Sequence, residues 1–260
     1  MPPPAIGALP EGYVSLTVGE IEIVAAEGYA DAVAVALKSR AGSLHDYARL
    51  HFESRPLAGR SVAYSAPLPG METRVVVRHN WHGGLLAPLT RDLFRPPTRA
   101  PLELHVSLRL QHMGIPTPDV VAFARYPASL GMQRVDVATR EIADSVDLSA
   151  VLTRPTSYSR DDAWDAVAEL LRRLTAAGAR HHDLNVKNVL LRGRGRRLDA
   201  VVLDVDRITF ETGDVTAANL ARLSRSARKW RDRHGAVLDE SELAALARAV
   251  FETAPAMTRS

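Results

Sequence analysis

Cysteine is absent from this chain of 260 residues, which excludes disulfides, thiolate nucleophiles and cysteine-ligated metal centres. That absence fits a reducing compartment. Aromatic residues are scarce at 5%, and they do not alternate with the basic residues as base-stacking platforms do. A nucleic-acid-binding module is therefore set aside, despite a sequence pI of about 9.4. No uninterrupted apolar stretch approaches the roughly 18 residues of a spanning helix. The opening MPPPAIGALPEG lacks the basic segment and apolar core of a signal peptide. A cytoplasmic location is the expectation from these features.

What is present is the composition of an ordinary globular protein, 46% hydrophobic and 24% charged. The net charge is only +3, but the arginines cluster into patches that attract phosphate or anionic lipid.

Pro2, Pro3, Pro4 and Pro10 read as a disordered arm over residues 1–10. Tyr13, Val14, Leu16, Val18, Ile21 and Ile23 follow the alternation of strands, and residues 28–50 read as helical. Residues 62–64 and 75–78 suit a hairpin about the Pro- and Gly-bearing turn at 67–70. A helix is predicted over 100–113, stopped by Gly114, Pro116 and Pro118. Strand patterns resume at 120–124 and 132–142, and the polar run 143–147 marks a boundary between an N-terminal unit, 11–143, and a C-terminal one, 144–260. In the second unit Trp164, Val167, Leu170, Leu171 and Leu174 form the stripe of an amphipathic helix, with Asp161 and Asp162 at its positive end. Apolar strands at 189–191 and 201–203 flank the turn RGRGRR, and helices are predicted near 215–232 and 239–252.

RHHDLNVKNVLL, residues 180–191, lies just before the first of those strands, and LDVDR, residues 203–207, closes the second. Pairing of the strands brings Asp183, Asn188 and Asp204 to one place. Oxygen donors of this kind suit Mg²⁺, which takes one or two ligands from protein and the rest from phosphate and water. Phosphoryl transfer asks for charge neutralisation and alignment more than for covalent help, and an Asp followed after four residues by Asn is the spacing of the kinase catalytic loop. The same residue types also cap turns and strand ends, so the spacing leaves a structural reading open. His181 and His182 diverge as neighbours and have no third ligand at a useful spacing, which argues against zinc. His181 is assigned a structural role.

HHDLNVKNVLL resembles the HxDLNxxNxLL stretch of the 3-deoxy-D-manno-octulosonic acid (Kdo) kinases of the lipopolysaccharide kinase family, and LDVDR is similar to that family's IDFDR. VVVRHNWHGGLL, from Val75, looks like the family's basic strand and Gly-Gly segment. TRAPLELHVSLRLQHMGIPTP, from Thr98, looks like its first long helix, and ANLARLSRS, from Ala218, like a helix after the metal motif. The resemblance spans roughly residues 59–230, and the ordered combination is more specific than any one piece.

The resemblance implies an α+β, protein-kinase-like fold, with a sheet-rich N-terminal lobe, a mainly helical C-terminal lobe and ATP bound between them. It implies transfer of the γ-phosphoryl group to a hydroxyl, with Asp183 as catalytic aspartate and Asn188 and Asp204 as Mg²⁺ ligands. Arg78, paired with Glu103, is implied near the ATP phosphates, and Gly59, Arg60 and Ser61 stand where a phosphate-covering turn is expected. An Arg at 78 offers a planar fork where protein kinases have the point charge of Lys. His182 replaces a small residue and Val205 replaces the Phe of DFD, and neither change removes a required charge.

The implied acceptor is the Kdo sugar of a lipid A-type glycolipid in lipopolysaccharide core biosynthesis, reached by peripheral association with the cytoplasmic face of the inner membrane. The RGRGRR turn is either a solvated hairpin tip or a basic contact for an anionic lipid surface. Residues 1–55 match no part of the family pattern and leave room for another acceptor, an aminoglycoside or a different core sugar. A pseudokinase scaffold is the remaining alternative, and its mark, a lost metal ligand, is not seen. His79, Trp81 and His82 either line the acceptor site or form a turn, and Asp206 and Arg207 either pair locally or bind substrate.

Overall fold

Alternating apolar residues become strands that bury one face, and the first part of the chain builds most of its structure this way. The computed structural model describes residues 9–39, 41–57, 62–81, 92–194 and 197–252. The chain divides into two compact units, residues 1–107 with 118–141, and residues 108–117 with 142–260. The division thus falls between Glu141 and Ile142, and the segment 108–117, expected in the N-terminal unit, clusters with the C-terminal one. Of the expected arm over 1–10, residues 1–8 lie outside the described residues.

In the first unit, β1 (Tyr13–Val18), β2 (Ile21–Ala26), β3 (Arg55–Leu57), β4 (Ala63–Pro67), β5 (Arg74–His79), β6 (Val120–Pro127) and β7 (Gln133–Arg140) form a seven-stranded sheet. Its order is β1-β2-β6-β7-β5-β4-β3, with every neighbouring pair antiparallel. β6 begins with five buried residues, as a central strand should. α1 (Ala30–Lys38) and α2 (Leu44–Leu50) add Val33, Leu37 and Leu44 to a core with Ile23, Val75 and Val77. The single helix expected over 28–50 is therefore two. Gly42 at φ +77 turns the chain, and Ser43 starts α2 by accepting from the Asp46 N–H at 3.0 Å. α3 (Ala100–His112) carries Glu103 in its first turn.

The second unit is organised around α5 (Arg160–Ala176), whose buried Trp164, Val167, Leu170, Leu171 and Leu174 are the stripe read from the sequence. α4 (Leu148–Thr153), α6 (Thr216–His234) and α7 (Glu240–Phe251) accompany it. β8 (Ser145–Asp147), β10 (Val189–Arg194) and β11 (Arg197–Val202) pair in the order β11-β10-β8, and β9 (Ala179–His181) pairs with β12 (Ile208–Phe210). Gly178, after α5, sits at φ +61, and a Cβ there would lie 2.3 Å from the Glu211 carbonyl oxygen. Only glycine admits that approach, through which the Glu211 N–H donates to the Gly178 carbonyl at 2.8 Å and fixes where β9 begins. Among the described residues no helix is long and apolar enough to cross a membrane.

Candidate active site

β9 ends at His181, β10 begins at Val189, and the polar loop lies between them. Val189 pairs with Val202, so Asn188 and Leu203 come next in register. Leu203 ties both ends of the loop: its N–H donates to the Asn188 carbonyl at 2.9 Å, and its carbonyl accepts from His181 Nε2 at 2.9 Å. Asp204 follows at φ 53 and ψ 46, a left-handed conformation that Asp tolerates better than most residues and that turns the chain away from the strand. The predicted hairpin forms, and it places Asp183, Asn188 and Asp204 on segments bonded to one another.

Inside the loop the Asp183 N–H donates to His181 Nδ1 at 3.1 Å. That nitrogen accepts, so the ring proton sits on Nε2 and points at Leu203. His181 is 1% exposed. Burial holds its pKa below the usual 6.5, against the opposing pull of the Leu203 carbonyl and of Asp204, Asp183 and Asp206. The Asp183 carbonyl accepts from the Asn185 and Asn188 side-chain amides, each at 3.0 Å. With its nitrogen so engaged, Asn188 has its Oδ1 left to offer a cation.

Among the described residues no group of three or more His, Cys, Asp or Glu side chains is placed to hold a metal. Asn188 and Asp204 each carry a side-chain oxygen, and Mg²⁺ accepts one or two such ligands from protein when phosphates and waters complete its shell.

One face of α6 runs along this loop. Asn219 accepts from the His181 N–H at 2.9 Å through Oδ1 and donates to the Ala179 carbonyl at 2.9 Å through Nδ2. Arg222 forms an ion pair with Asp183, and Ser226 accepts from the Val186 N–H at 3.2 Å. Sequence reasoning gave none of the three a role. Their spacing of three and four residues, on a helix beside the loop, was the available signal.

In the first unit Arg78 on β5 pairs with the buried Glu103 on α3, the pair that the family pattern implies. The neighbouring His79 is built into the fold: its Nδ1 meets Asp136 at 2.6 Å and its Nε2 meets Asp92 at 3.0 Å. Asp136 is fully buried and also accepts from the His45 N–H at 2.9 Å and the Tyr126 hydroxyl at 2.8 Å. Burial works against charge on His79, but the two carboxylates outweigh it and raise its pKa. Trp81 lies edge-on to His79 at 5.4 Å and is 53% exposed. Asp206 and Arg207 pair locally at 3.5 Å. Across the arginine-rich hairpin, Arg192 lies 3.9 Å from Asp199. Gly59, Arg60, Ser61 and His82 lie outside the described residues.

The chain is 33% identical over 171 residues to the 3-deoxy-D-manno-octulosonic acid kinase of Actinobacillus succinogenes, covering 64% of this chain and 70% of that protein. It is 32% identical over 159 residues to the Haemophilus influenzae protein of the same name, covering 59% of this chain and 65% of the relative, just under two thirds of its length. Among solved structures it is similar to WaaP in complex with acyl carrier protein, with a TM-score of 0.50 and 17% sequence identity over 78% of this chain and 80% of that one. That likeness shows the protein-kinase-like α+β fold. The family model of the lipopolysaccharide kinase (Kdo/WaaP) family matches residues 57–241, a segment that contains the hairpin, the tied loop and the Arg78–Glu103 pair, and the chain belongs to that family and is a phosphotransferase.

Proposed function

We propose that this protein transfers the γ-phosphoryl group of ATP, with Mg²⁺, to a hydroxyl of Kdo in a lipid A-type glycolipid. The observation that carries the reading is the pair of hydrogen bonds that the Leu203 backbone makes, accepting from His181 and donating to Asn188, which joins the loop bearing Asp183 to the strand end bearing Asp204. In this reading Asp183 orients the acceptor hydroxyl and receives its proton. Asn188 Oδ1 and the Asp204 carboxylate hold the metal, which when bound screens charge on the phosphates. Arg78, steadied by Glu103, contacts the nucleotide phosphates as a fork. The sugar acceptor is favoured by the two named kinases that this chain resembles. Peripheral contact with an anionic membrane surface belongs to the same reading, because the acceptor is a lipid.

The test is to incubate the purified protein with Mg²⁺-ATP and, separately, a Kdo-bearing lipid A precursor, free Kdo and an aminoglycoside, following acceptor mass. The expected result is the increment of one phosphoryl group on the glycolipid. An increment on the aminoglycoside alone would overturn the acceptor, and nucleotide binding without any increment would make the chain a scaffold.

A further inference from the structure

The geometry points to Arg222 as a positioning residue for Asp183, an assignment that rests on the phosphoryl-transfer reading above. α6 reaches the loop at three places. The outer contacts, Asn219 to the His181 N–H and Ser226 to the Val186 N–H, hold backbone. The middle one, Arg222, holds the carboxylate that this reading sets against the acceptor hydroxyl.

The arginine gives up something to be there. Its Nε is buried with no hydrogen-bond partner among the described residues, so the side chain leaves one donor unused where it brings an Nη to Asp183. The other basic residues of the helix behave differently. Arg228 and Arg231 pair with Glu240 and fasten α6 to α7, whereas Arg225 is exposed and makes no ion pair among the described residues. Arg222 is the arginine of this helix whose ion pair, among the described residues, falls on the candidate catalytic side chain.

An aspartate that must meet one hydroxyl works over a narrow range of positions, and its own torsions leave the carboxylate plane free to turn. A charge-assisted bond to one oxygen narrows that freedom before the acceptor arrives. The partner also suits the task chemically. A guanidinium stays protonated and has no acceptor atom, so it cannot compete with Asp183 for the hydroxyl proton.

The test uses the full chain and compares wild type with Arg222→Met, Arg222→Lys and Arg225→Met. Two assays are run: phosphorylation of the glycolipid, and hydrolysis of ATP without acceptor. Arg222→Met is expected to lower kcat on the order of 100-fold, with KM for ATP and acceptor within about twofold of wild type. Arg222→Lys is expected to recover a large part of the loss, and Arg225→Met to match wild type. In an Asp183→Asn background the Arg222→Met change should cost nothing further, because its target is gone.

A raised acceptor KM at unchanged kcat would assign Arg222 to substrate binding and overturn the proposal. So would the same loss in the Asp183→Asn background, or failure of Lys to rescue accompanied by a lowered unfolding temperature. Wild-type protein that hydrolyses ATP but ignores the glycolipid would remove only the acceptor, leaving Arg222 to be judged from hydrolysis. Wild-type protein inert in both assays would remove the phosphoryl-transfer reading and this proposal together.

Discussion

Two histidines, a half-buried one in the first unit and a buried one in the second, have pKa values shifted in opposite directions for reasons visible in their partners. His79 stands between the carboxylates of Asp136 and Asp92, and both ring nitrogens have an acceptor to bond. Its charged form is favoured by the two carboxylates. His181 stands between a backbone N–H and a backbone carbonyl, one requiring an acceptor and the other a donor. Its neutral form is favoured by burial and by the Asp183 N–H. Burial disfavours charge at both places, so burial does not decide the outcome; the ligands of the two nitrogens do. The lesson extends to function. The charged cluster of the sheet is closed on itself and locks strands together, while the neutral ring orders a loop and leaves its carboxylates for other partners.

The comparison breaks most visibly at His79. His79→Ala leaves the fully buried Asp136 without its cationic partner, and an uncompensated charge of that kind costs about 3–5 kcal/mol. Denaturant unfolding should show that loss, and a change under 1 kcal/mol, roughly the worth of an exposed ion pair, would mean the cluster is solvated after all.

At His181 the expected stability loss is smaller. His181→Ala removes the partner of the Asp183 N–H and of the Leu203 carbonyl, and an unpaired buried polar group costs about 1–3 kcal/mol. Here the larger effect is on turnover, since the loop loses one of its two ties to Leu203. A variant that loses stability but keeps wild-type kcat would separate the ring from the chemistry.

The pH responses sharpen the contrast. His79 binds its proton more tightly folded than unfolded, so its stabilisation is fully present below 6.5 and is lost as pH rises through its higher folded value. His181 binds its proton less tightly folded, so stability is lost as pH falls below 6.5 and the unfolded chain protonates first. Imidazole titrations followed by NMR should give midpoints on opposite sides of 6.5. The stability difference between wild type and His79→Ala should shrink as pH rises above 6.5 and through the higher folded value. Midpoints on the same side would dissolve the comparison.

Much of this was legible in the chain itself, for local reasons. The stripe from Trp164 to Leu174 and the strands on either side of RGRGRR are periodic, and DLNVKN before an apolar strand places its polar groups at a strand end whatever surrounds it. The break between α1 and α2 was missed because the alanine-rich run continues almost to Gly42, and the cap at Ser43 was read as part of one helix. The His79 cluster was missed for a deeper reason: its carboxylates lie 13 and 57 residues away in sequence, a distance over which no periodicity speaks. Asn219, Arg222 and Ser226 looked like the solvated face of a basic helix, because polar residues at helical spacing read the same whether they meet water or a loop.

The most direct test of the central claim, that Asp183, Asn188 and Asp204 form one phosphoryl-transfer site, is to measure turnover and Mg²⁺-dependent nucleotide affinity together in Asp183→Ala and Asp204→Ala. The account predicts that Asp183→Ala loses turnover while binding nucleotide nearly as wild type does, and that Asp204→Ala loses both turnover and the Mg²⁺-dependent part of binding. Wild-type turnover in either variant would contradict it.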